Sequence, residues 1–223
     1  MLEALFRGDM QSFLVSLLLS LPIVFLALSL HETAHGWIAC KLGDPTARSL
    51  GRLTLNPIKH LDPIGFICMI LFGFGWAKPV PVNTRYFKKP KRDMALTALA
   101  GPVSNLLLAL IFAILLRVAY ELLPHLPIHT EFAFQCWYWS VQFLLLGVTM
   151  NVALAVFNLI PVPPFDGSRI FLTMLPTKIY FKIMRYEQYL YLALMLLLVL
   201  GALDRPLDFV TNKFLDLIFM ITF

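Results

Sequence analysis

Of the 223 residues, 59% are hydrophobic and 14% charged, against about a quarter charged in an ordinary soluble domain. That balance excludes a water-soluble globular chain, because the apolar excess has to face lipid. The formal net charge of +5 does not mark a nucleic-acid binder either, since long apolar segments separate the basic residues and no aromatic-basic stripe joins them.

The first apolar stretch runs from Met10 to Leu30 without a charge. At about 1.5 Å per helical residue it is long enough to cross a hydrocarbon core of roughly 30 Å, and a span is expected over 11–40. It continues through His31-Glu32-Thr33-Ala34-His35 into Trp37 and Lys41, so it does not end like a cleaved signal peptide and is expected to stay in the mature protein. On a helix His31 and His35 lie one turn apart on one face and can share a metal ion, with Glu32 beside them to reach a metal-bound water. Ionisable groups at membrane depth cost roughly 2.5 kcal/mol or more each, so their presence points to chemistry.

The stretch from Ile64 to Ala77 is apolar but only 14 residues long, has basic residues on both sides and contains Gly65, Gly73 and Gly75. It is too short to span and is expected to dip in and return, or to lie at the interface, bordering a site. Further spans are expected over 94–120, 134–161 and 187–203, making four. The stretch from Pro206 to Phe223 mixes apolar residues with Asp208, Lys213 and Asp216, which suits an interfacial helix. The chain thus reads as an all-α polytopic membrane protein forming a single domain over 1–223, with a core at about 11–175 and C-terminal helices at about 187–223. Cys40, Cys68 and Cys136 are odd in number, form no CxxC and read as small buried hydrophobes.

Fourteen of the 18 Lys and Arg fall between Lys41 and Asp62, Lys78 and Asp93, or Val162 and Glu187, whereas Glu121 to Phe132 has none. By the positive-inside rule the three basic segments face the cytoplasm and the N-terminus lies outside.

A catalytic zinc takes three protein ligands and keeps a position for water, so two histidines leave the set incomplete. Asp44, His60, Asp62 and Asp166 are the candidates on the cytoplasmic side. Asp166 stands out because it follows Asn158 through Phe165, where Pro161, Pro163 and Pro164 break a span and Gly167 permits a tight turn that aims the carboxylate back into the bundle.

Three signatures together, His31 to Gly36, Ala100-Gly101-Pro102-Val103-Ser104-Asn105 and Asn158 to Gly167, resemble those of the site-2 protease family of intramembrane zinc metalloproteases. Leu42 to Arg48, Leu53 to Pro57 and Gly75 to Asn83 resemble its compact bacterial and archaeal branch, and the likeness covers roughly 20–175. The resemblance implies one zinc ion held by His31, His35 and Asp166, with Glu32 as general base and Asn105 as a polar group steadying the oxyanion. It also implies a multi-pass plasma-membrane protein with its site towards the cytoplasm, acting on single-span or other membrane-protein substrates within the bilayer. Phe165 replaces the leucine that many members carry before Asp-Gly, and the PDZ or CBS domain of larger members is not expected here. Leu53 to Leu55 and Val80 to Val82 read as extended, and either offers an edge on which an unwound substrate could add as a strand. A metal transporter or a zinc-binding scaffold without proteolysis is the alternative; Glu32 at its offset and the lack of a second ligand cluster on the external side weigh against it.

Overall fold

Asp9 opens the first helix by accepting a hydrogen bond from Ser12 N at 3.0 Å, the usual work of an N-cap carboxylate. In the computed structural model, which describes residues 9–72, 75–125 and 130–223, this helix, α1, runs Met10–Lys41. It stops where Gly43 takes φ +109° and Asp44 N bonds back to Ala39 O at 2.9 Å, a left-handed glycine closure. A single turn, α2 (Thr46–Ser49), follows.

Asp62 caps α3 (Pro63–Phe72), accepting from Ile64 N at 3.0 Å and Gly65 N at 2.9 Å, with proline in the first helical position. The chain then comes back beside its own start: Leu61 forms an antiparallel bridge with Ala77, and a Cβ on Gly65 would lie 2.2 Å from Trp76 O. The short apolar segment therefore goes out and returns, as its length requires. Gly73, expected within that segment, lies outside the described residues.

Helix α4 (Pro90–Leu122) also begins on proline, and Asp93 in its first turn accepts from Lys89 N at 2.9 Å, satisfying the amide that precedes the helix. Thr130 caps α5 (Glu131–Asn158) through Ala133 N. Among the described residues, α1, α4 and α5 are the three helices long and apolar enough to cross a membrane. They meet through a cluster that includes Ile23 and Ala27 of α1, Ala109 and Phe112 of α4, and Val148 and Val152 of α5. Small residues set the approach: a Cβ on Gly147 would sit 2.5 Å from Phe112 Cδ1.

After α5 come α6 (Asp166–Phe171), α7 (Thr177–Arg185), α8 (Glu187–Val199) and α9 (Asp204–Thr222). The fourth expected span, 187–203, is not realised as one. α8 has 13 residues, about 20 Å of helix against a core of about 30 Å, because Gly201 turns the chain at φ +68° although the apolar residues continue to Leu203. α9 lays Leu207, Phe214, Ile218 and Phe219 on the bundle and leaves Asp208, Lys213 and Asp216 exposed, the amphipathic pattern its sequence carries. Arg117 of α4 ties its end by donating to Thr222 O at 2.6 Å. The three cysteines are free; Cys40 and Cys68 are partly buried, whereas Cys136 is exposed near the start of α5 rather than packed in the core. Among the described residues no strand forms; the stretches 53–55 and 80–82 make no ladder.

Candidate metal centre

His31 and His35 occupy the last turns of α1, where both are buried. Their Nε2 atoms are 2.9 Å apart. Asp166 Oδ2 completes a triangle at 3.1 Å from His31 Nε2 and 3.2 Å from His35 Nε2. Four-coordinate zinc with bonds of about 2.0–2.1 Å has ligand-to-ligand edges of about 3.3 Å, so the three atoms fit its coordination sphere within a few tenths of an ångström. They are the group of His, Cys, Asp and Glu among the described residues that converges closely enough to hold an ion.

Three local features bring this about. His35 Nδ1 lies 2.7 Å from Thr97 O; donation there puts the proton on Nδ1 and leaves the Nε2 lone pair free for a metal. Gly101 of α4 makes room for both rings, since a Cβ would come within 2.4 Å of His35 Nε2 and 2.5 Å of His31 Cε1. Gly167 lets α6 start against the end of α5, where a Cβ would meet Leu159 O at 2.2 Å. That packing turns Asp166 back towards α1.

Glu32 lies beside the triangle with Oε2 accepting from Val80 N at 2.7 Å. Val80 belongs to a strap, residues 78–83, that side chains pin across the end of α1. Arg52 donates to Lys78 O at 2.7 Å, and Asp44 Oδ2 accepts from Asn83 N at 2.7 Å. Gly36 lets the strap come close, as a Cβ there would lie 3.1 Å from Val80 Cγ1. The loop over 52–60 is tied to the same helix because Thr54 O accepts from Thr33 Oγ1 at 2.7 Å and lies 2.7 Å from His60 Nε2.

These bonds account for the other ligand candidates. Asp44 is engaged by Thr46 and Asn83, His60 by Thr54 and Asp62 by the start of α3. Asn105 lies one turn beyond Gly101, fully buried, with no hydrogen bond from either amide atom to any described residue, and it is not among the residues lining the cavity described next. Sequence reasoning missed Val80, Thr97 and the spacing role of Gly101. The first two act through backbone atoms, which leave no trace in residue identity; the third was visible only as part of a motif.

The triangle opens into a cavity of about 1520 Å³. Its walls are α1 and α5, from Ser12 and Tyr138 near their starts, past Ser16 and Gln142, to His31, Glu32, His35 and Asp166. Trp76, Pro79 and Val80 of the returning segment and strap close one side at the metal end.

Peptidase family M50 matches residues 19–201. The chain is 42% identical over 180 residues to "Putative zinc metalloprotease YwhC" of Bacillus subtilis, covering 79% of this chain and 78% of that protein. It is 30% identical over 187 residues to "Putative zinc metalloprotease Rip2" of Mycolicibacterium smegmatis, covering 81% and 66%. It is 31% identical over 142 residues to "Putative zinc metalloprotease MJ0611" of Methanocaldococcus jannaschii, covering 63% and 62%. No solved structure matches. With the family matched over most of its length, and apolar helices long enough to span a bilayer, this chain belongs to peptidase family M50, the site-2 proteases, and is a membrane metalloprotease of the zinc type.

Proposed function

We propose that the chain is an intramembrane zinc endopeptidase that cuts peptide bonds in or near the transmembrane segments of other membrane proteins. The observation that carries this is the convergence of His31, His35 and Asp166, from distant parts of the chain, at the inner end of a cavity walled by two membrane-length helices. The three residues hold the zinc ion, which would polarise the scissile carbonyl and acidify water at the site. Glu32 is the general base. Val80 N–H holds its Oε2, leaving Oε1 to take a proton from the attacking water and later pass it to the leaving nitrogen. Thr97 keeps His35 in the tautomer that binds metal.

A substrate helix has its peptide groups hydrogen-bonded and must be unwound before it is cut. The strap offers an edge for it: Val82 N–H and C=O make no hydrogen bond with any described residue, and an unwound segment can add there as a strand. In this reading the metal end faces the cytoplasm at the plasma membrane and the N-terminus lies outside, an orientation that the basic segments support through the positive-inside rule.

The test measures zinc per chain and cleavage of a single-span protein in wild type, Asp166→Ala and Glu32→Gln. The expected pattern is one zinc in wild type, loss in Asp166→Ala, and zinc retained without cleavage in Glu32→Gln. Zinc movement across liposomes with no cleavage by wild type would establish the transporter instead.

A further inference from the structure

Among the residues lining the cavity, Arg169 is the one Lys or Arg. It stands one turn after Asp166 on α6, is half-buried, and makes no hydrogen bond or ion pair with any described residue. The acidic groups on the same wall are already engaged, Asp166 by the histidines and Glu32 by Val80 N–H. A guanidinium has five donors in a planar fork. These donors have no partner among the described residues and border the cavity, so the arrangement suits a ligand that brings oxygen acceptors with it.

A peptide unwound for cleavage is such a ligand. Each residue that leaves the helix frees a carbonyl that had been paired along the chain, and in an apolar cavity an unpaired carbonyl is nearly as unfavourable as an unpaired donor. We infer that Arg169 is a substrate-binding residue whose guanidinium takes up backbone carbonyl oxygens of the unwound substrate segment next to the metal centre. It lowers the cost of unwinding, while the strap backbone serves the edge of the same segment. This rests on the proteolytic reading above.

The test uses full-length protein in nonionic detergent without phospholipid. The probe is a single-span protein with a Leu/Ala helix interrupted by Asn-Pro. Its binding is measured in the Glu32→Gln background, alone and combined with Arg169→Ala or Arg169→Lys, with zinc content determined for each. A charge-assisted hydrogen bond lost from a buried acceptor corresponds to about tenfold or more. Arg169→Ala is therefore expected to weaken binding at least tenfold with zinc unchanged, Arg169→Lys to fall between, and added methylguanidinium to restore part of the loss in the alanine variant only. Binding within twofold of the parent overturns the inference, as does a loss that tracks zinc. An effect of Arg169→Ala that shows only when anionic phospholipid is added back overturns it too, since Arg169 would then be a headgroup anchor. If wild type fails to cut the probe, the proteolytic reading falls and this one with it; if wild type cuts while Arg169→Ala binds normally, this one falls alone.

Discussion

The two sides of α5 are built to opposite purposes. Towards α4 and α9 it presents Gly147, Val148 and Val152, all buried, and Gly147 brings Phe112 so close that no side chain fits between. Towards α1 it presents Tyr138, Gln142, Leu146 and Ala153, which line the cavity. Small residues let membrane helices close on one another, where hydrophobicity alone gives no preference over lipid. Larger and polar ones on the other face leave a space whose walls carry hydrogen-bonding groups. The packed side holds α4 and α5 in register, and α4 in turn supplies Gly101 and Thr97 to the histidines. On the open side the cavity runs to the metal ligands. Rigidity on one face thus aims the metal ligands that the other face exposes.

Substitutions separate the two sides most sharply when they strike the chemistry alone. Glu32→Gln keeps the fold and the three metal-binding atoms and removes the base; cleavage is expected to fall about 100- to 10,000-fold with zinc per chain unchanged. Gly101→Val transmits a packing error from α4 into the site, since even a Cβ would sit 2.4 Å from His35 Nε2. Loss of bound zinc, read by metal analysis of the purified protein, is the expected outcome, with helicity retained. Gly147→Val should do the reverse. Overpacking against Phe112 is expected to cost about 1–3 kcal/mol, seen as a lower unfolding midpoint in detergent, while zinc stays bound below that midpoint. If both glycine variants lost zinc and stability together, the two sides would not be separable.

Much of this division could be read from residue order. The charge-free run before His31, the one-turn spacing of His31 and His35, and the prolines ahead of Asp166 each report a local rule, and the three long helices follow from length and apolarity. The triangle itself required two segments far apart in the chain to meet, which no local rule predicts; the resemblance of the motifs supplied it. The fourth span was misjudged because hydropathy runs on through Leu200 to Leu203, whereas Gly201 ends the helix by conformation. The strap was legible as extended chain but not as the holder of Glu32, because the group that does so is the amide of Val80 and any residue except proline would offer the same donor.

On the open side, Ala153→Trp places an indole in the cavity wall without changing a metal ligand. A KM about tenfold higher, equivalent to roughly 1.4 kcal/mol of lost binding, is expected with kcat and zinc little changed, which is the signature of binding lost equally from ground and transition states. The smallest effect should come from loosening the strap. Asp44→Asn exchanges one acceptor oxygen for a donor, and whichever way the amide turns, either Asn83 N–H or the Thr46 pair meets a group that cannot accept. Arg52 still grips Lys78 O and Glu32 still grips Val80 N–H, so the strap shifts without leaving. The aim of Glu32 should suffer more than the metal or the cavity. A several-fold fall in kcat is expected, with KM and zinc content near those of wild type. A rise in KM at constant kcat would instead make the strap's contact with substrate, and not its hold on Glu32, the interaction that Asp44 protects.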